Sequence, residues 1–494
     1  MMRIRVTPRD GTPSGNETTD RRRWWVVAQD HVASPRRTDE RYSLIVGYHR
    51  PPVPRHQALS SPNGILPTLT ALFSRGLRGI WVAAGVGDDI DEGEHEVPLT
   101  LLRVSAEEWR GYFHRACKDT LWPILMSEPR RMRFDAGAWT HYRAINQRYA
   151  QHIRAQAARG AVVWLHDYNL WLVPGLLRRI RPDLRIGLFH HTPFPPPHLF
   201  AALPTADEIR CSLAQLDWAG FHTTAFADNF GHTLGEQPTL PAVGVHPLGI
   251  DRAAIEALAR HRAAELPSKR YTLVLSVERL DYAKAPIQKV DAFATVLDRR
   301  PDLRGRLMFR LICPPPESGI TAYDTTRSTL ERRIGEVNDT WRGDGWQPID
   351  YISRTLPLAE VIDHYVAADV FWVTSLQDGM NLTAKEFITA QAAVIESVVP
   401  PGVLVLSRYT GAATQLGDAA LLTDPRSHEN LTNTLTHAIS LDHTERRRRL
   451  HHLANLLGHD HPVDWATRII ADIQTGTSHS VPTPITPELW QPIE

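Results

Sequence analysis

The chain has 494 residues, with 55 Lys and Arg against 55 Asp and Glu, and 42% of it is hydrophobic. That length accommodates roughly two to three domains with a sizeable core. The balanced charge lacks the basic footprint of a dedicated nucleic-acid binder, and no apolar run reaches the roughly 20 residues of a membrane span. The three cysteines, Cys117, Cys211 and Cys313, are far apart in sequence. They form neither a disulfide framework nor a CxxC metal site, which points to a reducing, cytoplasmic location.

Residues 1–23 are polar and Arg-rich, lack the apolar core of a secretory signal, and predict a disordered tail before ordered structure from Trp24. The first strand expected is SLIVGYHR (43–50), followed by SPNGI (61–65) and the strand GIWVAA (79–84). A helix over YRAINQRYAQHIRAQAARG (142–160) runs into the strand AVVWLHD (161–167), with further strands at IGLFHH (186–191) and AGFHT (219–223). After the turn HPLGID (246–251), strands TLVLSVE (272–278), RLMFRLIC (306–313), DVFWVTS (369–375) and VLVLS (403–407) follow. They alternate with helical patterns in KAPIQKVDAFATVLDRRP, AEVIDHYVAAD and NLTAKEFITAQAAVIES. The last residues hold prolines at 482, 484, 487 and 492 and should be irregular.

Strands that are apolar on both faces, alternating with helices, imply parallel sheets covered on each side. There are too many units for one sheet. The class is therefore α/β, with two doubly wound Rossmann-like domains facing across a cleft. A ligand would lie between them at the C-terminal ends of the strands.

Several loops at such strand ends carry chemistry. VERLDYAK places Arg279 and Lys284 just after a strand, where a fork and a point charge suit a diphosphate. In SLQDGMNLTAKEF, Asp378 and Gly379 follow a strand and Asn381 to Glu386 open a helix. Its free N–H groups favour phosphate, and Glu386, two turns on, could accept from ribose hydroxyls. Asp167 ends AVVWLHD, and His190 and His191 end the next strand on opposite faces, so at most one of them faces the cleft. Gly64 follows a turn and would let backbone approach a ligand closely.

Other patterns are set aside. Asp89 and Asp91 resemble a metal-diphosphate DxD but sit in an acidic run that reads as a solvated loop. GVG at 85–87 is not a GxGxxG. His451, His452, His459 and His461 lack metal-site spacing, and ERRRRL (445–450) reads as a solvated helix face. No metal and no cofactor are expected.

HDYNLWLVPGLLR, FHHTPFP, DWAGFHT, SVERLDYAK, ADVFWVTSLQDGMNLTAKEF and GVLVLSRYTGAA occur in this order. Together they resemble the retaining sugar-nucleotide transferases that include trehalose-phosphate synthase, over about Ser43 to Trp465. Within that family, YHR followed by SPNGILPTL, and PPPESGITAYDTT, are most similar to the glucosylglycerol-phosphate synthase branch. The resemblance implies a GT-B arrangement, expected here as residues 24–247 for the acceptor and 248–458 for the nucleotide sugar. Residues 459–494 would supply a helix packing back on the first domain and a Pro-rich tail.

It also implies glucose transfer from ADP-glucose to glycerol 3-phosphate. Arg279 and Lys284 become the diphosphate clamp. Asp378 and the backbone through Gly379, Met380, Asn381 and Leu382 would hold the donor sugar, Glu386 the ribose, and Gly64 the diphosphate. Asp167 and His191 would lie beside donor sugar and acceptor; Arg50, Trp122 and, more weakly, Lys118 would face the acceptor. Three departures stand out. Ala285, followed by Pro286, replaces a usual Gly, and Gln377 a usual Arg. Glu317 stands near where trehalose-phosphate enzymes use Arg for the acceptor phosphate, which disfavours glucose 6-phosphate.

Other readings are coupling of a nucleotide-activated cyclitol to an amino-cyclitol phosphate, trehalose-phosphate synthesis, and an inactive sugar-phosphate-binding regulator. The expected partners are a nucleotide-sugar donor and a phosphorylated small-molecule acceptor. No nucleic acid or membrane is expected, and a homo-oligomer is left open.

Overall fold

The computed structural model describes residues 41–53, 64–87, 97–236, 239–263, 270–343, 345–396, 400–458 and 461–476. The expected N-terminal tail, the start at Trp24, Asp89, Asp91, His459 and the Pro-rich tail lie outside the described residues.

Two parallel sheets form the frame. The first comprises β1 (Tyr42–Gly47), β2 (Ile80–Val86), β3 (Leu99–Val104), β4 (Ala157–His166), β5 (Arg185–His190), β6 (Trp218–Phe221) and β7 (Ala242–Val245), in the order β3-β2-β1-β4-β5-β6-β7. The second comprises β8 (Thr272–Val277), β9 (Leu307–Ile312), β10 (Ile349–Ile352), β11 (Val370–Val373), β12 (Val403–Ser407) and β13 (Leu421–Thr423), in the order β10-β9-β8-β11-β12-β13. Each sheet reverses its winding once, between β1 and β4 and between β8 and β11. At such a reversal the flanking helices diverge and leave a crevice at the strands' C-terminal ends.

The central strands form because their residues are apolar on both faces: Leu44, Ile45 and Val46 are fully buried, as are Val370, Phe371 and Trp372. Helices cover both sides. The helix Pro462–Thr475 lies on the first sheet, its Trp465, Ile469 and Ile473 sharing a core with Trp81, Trp164 and Phe189. It starts on His461, whose ring accepts from Val463 N at 3.1 Å, and Asp472 Oδ2 meets His246 Nε2 at 2.8 Å.

Element ends differ from the sequence pattern for local reasons. The strand AGFHT stops at Phe221 because Thr223 caps the helix Thr224–Leu234, accepting from Phe226 N. The helix expected over 142–160 starts at Ala136, capped by Asp135, and ends at Gln156, since Ala157 already pairs with Tyr42 of β1. A helical run over 106–125, absent from the sequence reading, has a π-helical middle, Arg110–Leu121. No helix among the described residues is long and apolar enough to cross a membrane.

Candidate active site

β8 leads into Glu278 and Arg279. Glu278 is fixed from behind by Lys289, whose Nζ donates to Oε2 at 2.5 Å, and both side chains are buried. Burial raises the glutamate's pKa and lowers the lysine's, with the partner opposing the shift in each case. Arg279 is exposed in the crevice. The crevice walls take some water from its charge, yet Tyr323, Asp281, Tyr48 and Asp378 around it hold its pKa above the ordinary value.

Asp281 then caps a short turn, Tyr282–Lys284, accepting from Ala283 N at 2.9 Å. Lys284 Nζ donates to Asp378 Oδ2 at 2.6 Å. Ala285 is left-handed, at φ 53° and ψ 46°, so a residue with a Cβ stands where glycine costs least.

β11 delivers Asp378 opposite. Its carboxylate accepts from Lys284, Ser375 Oγ (3.1 Å), Asn381 Nδ2 (2.9 Å) and its neighbour Gly379 N (3.0 Å). Burial would raise its pKa, but the charge and hydrogen bonds of Lys284 and the amide and hydroxyl donors hold it below the usual carboxylate range. Asn381, itself at φ 63°, caps the helix Leu382–Ala393 by accepting from Ala384 N at 3.1 Å. A Cβ on Gly379 would overlap the carbonyl oxygen of His191 in the first domain, so only glycine lets the two backbones meet. Met380 is buried beneath this loop. Glu386 is fully buried, with Oε2 accepting from Tyr365 Oη at 2.9 Å.

In the first domain, β1 ends in Tyr48, His49 and Arg50, and β4 in Asp167. Asp167 has φ 68° and ψ 174°, a region almost reserved for glycine. Such strain, of order 1–3 kcal/mol, persists only where the surroundings impose it. Here Thr192 imposes it, donating to Asp167 Oδ1 from Oγ1 at 2.8 Å and from its backbone at 3.3 Å. His190 is buried with Nδ1 on Thr192 O at 2.7 Å, whereas His191 is partly exposed, its Nε2 3.0 Å from His166 Nδ1. Burial, with the neighbouring histidines, pushes the His191 pKa well below its ordinary value, so the ring is neutral.

The π-helical run supplies the remaining wall. Trp109, Phe113, Lys118 and Trp122 recur every four or five residues, the spacing that i→i+5 bonding turns onto one face. Lys118 Nζ sits 3.8 Å from the Trp122 ring centroid and 5.5 Å from that of Phe113. Burial lowers its pKa to about 8, with Asp281 opposing and Arg279 reinforcing the shift. Arg50 lies across the same Phe113 ring at 5.1 Å and pairs with Glu317 at 2.6 Å.

The two walls share one cleft. Tyr48 feels the charges of Asp167, Arg50 and Arg279, and Lys118 those of Asp281, Arg279 and Asp167. Asp281 accepts from Trp122 Nε1 at 3.4 Å across the cleft and from Tyr323 Oη at 3.0 Å. Thus Arg279, Lys284 and Asp378 come together, as do Arg50, Lys118, Trp122 and Asp167. Gly64 is the extended residue before the helix Ile65–Ser74, and the rest of its expected turn lies outside the described residues. Gln377 is half-buried beside Asp378. Sequence reasoning missed Asp281 and Thr192 as positioning groups, although both lie inside the motifs VERLDYAK and FHHTPFP. Among the described residues no group of His, Cys, Asp and Glu is arranged to hold a metal ion.

Two cations and a helix N-terminus at one switch point, facing cations among aromatic rings at the other, suit transfer between two anionic substrates. The glycosyltransferase family 20 profile matches residues 82–236 and 238–475. The chain is 34% identical to glucosylglycerol-phosphate synthase of Pseudomonas anguilliseptica, over 90% of this chain but only 66% of that protein, just under two thirds of its length. It is 29% identical to the synthase of the same name from Synechocystis sp., over 87% of this chain and 97% of that one. The structure of a UDP-forming alpha,alpha-trehalose-phosphate synthase from Burkholderia vietnamiensis superposes with a TM-score of 0.78 at 28% identity, covering 87% of this chain and 99% of the other. The two α/β domains form a GT-B frame, and the chain belongs to glycosyltransferase family 20.

Proposed function

We propose that this glycosyltransferase moves glucose, with retention of anomeric configuration, from ADP-glucose to glycerol 3-phosphate. The observation that carries the reading is the pairing of the two switch points. Arg279, Lys284 and the helix after Asn381 offer donors for a diphosphate, and Lys118, over the same Phe113 ring as the paired Arg50, offers a cation for a monophosphate on the opposite wall. The Pseudomonas and Synechocystis relatives are named for a glucosylglycerol phosphate product, which supports glycerol 3-phosphate as the acceptor.

In this scheme the acceptor hydroxyl attacks the anomeric carbon on the face from which the diphosphate departs. The C1–O bond to phosphate breaks, the new glycosidic bond forms, and the hydroxyl proton passes to the leaving phosphate oxygen. The chain's task is to stabilise charge growing on that oxygen, which pre-oriented donors do without reorganising during the step. Lys284 has one N–H committed to Asp378 and two more to offer. Asp378 and the backbone from Gly379 to Leu382 hold the donor sugar, with Gly64 against the diphosphate. Glu386 serves the ribose, a role that requires its buried carboxylate to gain access to the cleft. Asp167, His191 and Trp122 orient donor sugar and acceptor.

The test is product mass spectrometry with ADP-, GDP- and UDP-glucose against glycerol 3-phosphate and glucose 6-phosphate. A glucosylglycerol phosphate mass, largest with ADP-glucose, is the expected result. A disaccharide phosphate alone would replace this reading with trehalose-phosphate synthesis. Silence across the grid would overturn glucosyl transfer to either acceptor and point to a cyclitol substrate or a regulator.

A further inference from the structure

Glu317 lies in the loop between β9 and the helix Thr321–Trp341, on the second domain, yet all its partners belong to the first. Oε2 accepts from Arg50 Nη2 at 2.6 Å, and Oε1 accepts from Trp109 Nε1 at 2.7 Å and meets His114 Nε2 at 2.7 Å. Burial would raise its pKa, but these donors pull it down to about 2. An indole N–H and a guanidinium can only donate, so with the imidazole N–H they make three donors converging on one oxyanion. Geometry of this kind recognises carboxylate and phosphate alike.

We propose that Glu317 is a tethered anion that occupies an oxyanion site built by Arg50, Trp109 and His114, masking that end of the acceptor pocket so that the acceptor's phosphate is met at Lys118. This rests on the transfer reading above. The two cations share the Phe113 ring. Arg50 lies towards Trp109, and Lys118 towards Trp122, Tyr168 and Tyr323. Arg50 is in direct contact with a carboxylate, whereas Lys118 is packed among rings and feels Asp281 at longer range. The Lys118 end is also the one that feels Arg279 and Asp167, where the donor would lie. A carboxylate held by its own chain competes at an effective concentration on the order of millimolar, which a free anion must exceed to displace it.

The test uses inorganic phosphate as the probe, by isothermal calorimetry on the full chain. Glu317→Ala should bind phosphate about tenfold or more tightly than wild type, and Arg50→Ala/Glu317→Ala should lose that gain. Glu317→Gln, which keeps the shape and removes the charge, should change affinity in the same direction by less and covers the case in which Glu317→Ala fails to fold. Unchanged phosphate affinity in both single variants, or a gain that survives loss of Arg50, would overturn the proposal. The binding readout needs no turnover. A wild-type chain that transfers no glucose to glycerol 3-phosphate would refute the transfer reading while leaving the masked site decided by calorimetry.

Discussion

Replacing Lys118 by arginine separates the charge of this residue from its titration. Burial sets the Lys118 pKa at about 8 against an ordinary 10.5. On that value the side chain is ~90% ammonium at pH 7 and ~10% at pH 9. If the acceptor's phosphate is held by this ammonium, kcat/KM for glycerol 3-phosphate should fall about tenfold between those pH values. The acceptor's phosphate, with a second pKa of about 6, only gains charge as pH rises and contributes no fall of its own. Nor does unfolding: a lysine whose folded pKa lies below its unfolded one binds fewer protons when folded between pH 8 and 10.5, so its contribution to stability rises with pH across that window. Lys118→Arg stays charged throughout. The assay is kcat/KM for the acceptor at saturating donor, from pH 6.5 to 9.5, for wild type and variant. The variant's absolute rate is immaterial, and the shape of its profile decides. A wild-type profile flat to pH 9.5, or the same tenfold fall in Lys118→Arg, would refute the assignment of Lys118.

Arg279→Ala should lower kcat by roughly two to three orders of magnitude, the range for removing one charge-stabilising donor, with little change in thermal midpoint because the side chain is exposed. Near wild-type turnover would remove Arg279 from the clamp. Ala285→Gly relieves a left-handed Cβ at a fully buried position and should be neutral or stabilising by up to about 1 kcal/mol in urea unfolding. Lys289→Ala leaves Glu278 buried without its partner and should cost about 3–5 kcal/mol, read as a lowered urea midpoint. Gly379→Ala forces a Cβ into the His191 carbonyl oxygen and should lower kcat through imperfect apposition of the walls, with the isolated fold retained in circular dichroism.

The two loops proposed to hold the donor were legible as loops at strand ends because their structure is local. VERLDYAK and SLQDGMNLTAKEF each follow a strand whose residues are apolar on both faces, and each leads into a helix. The four strands missed, β3, β7, β10 and β13, are the edges of the two sheets. An edge strand is half-exposed, and LTLLRV, AVGV, IDYI and LLT accordingly show no two-sided apolar run. The helical run over 106–125 escaped for a different reason. Trp109, Phe113, Lys118 and Trp122 are spaced four, five and four apart, so a 3.6-residue period finds no face. Asp167's strain and Asp281's bond to Trp122 depend on packing between distant segments, which no spacing reports.

This division bears on how substrate choice is built. The groups proposed to face the donor sit on two short loops and are fixed by their own neighbours, as Asp378 is by Ser375, Gly379 and Asn381. The groups proposed to face the acceptor are assembled from β1, the π-helical run and the β9 loop, and several meet only across the cleft: Glu317 with Arg50, Trp109 and His114, and Asp281 with Trp122. On the proposed reading, a single substitution in the β9 loop changes the charge presented to the acceptor without touching Arg279 or Lys284. That makes Glu317 and Lys118, rather than Arg279 or Lys284, the positions at which acceptor preference is to be measured.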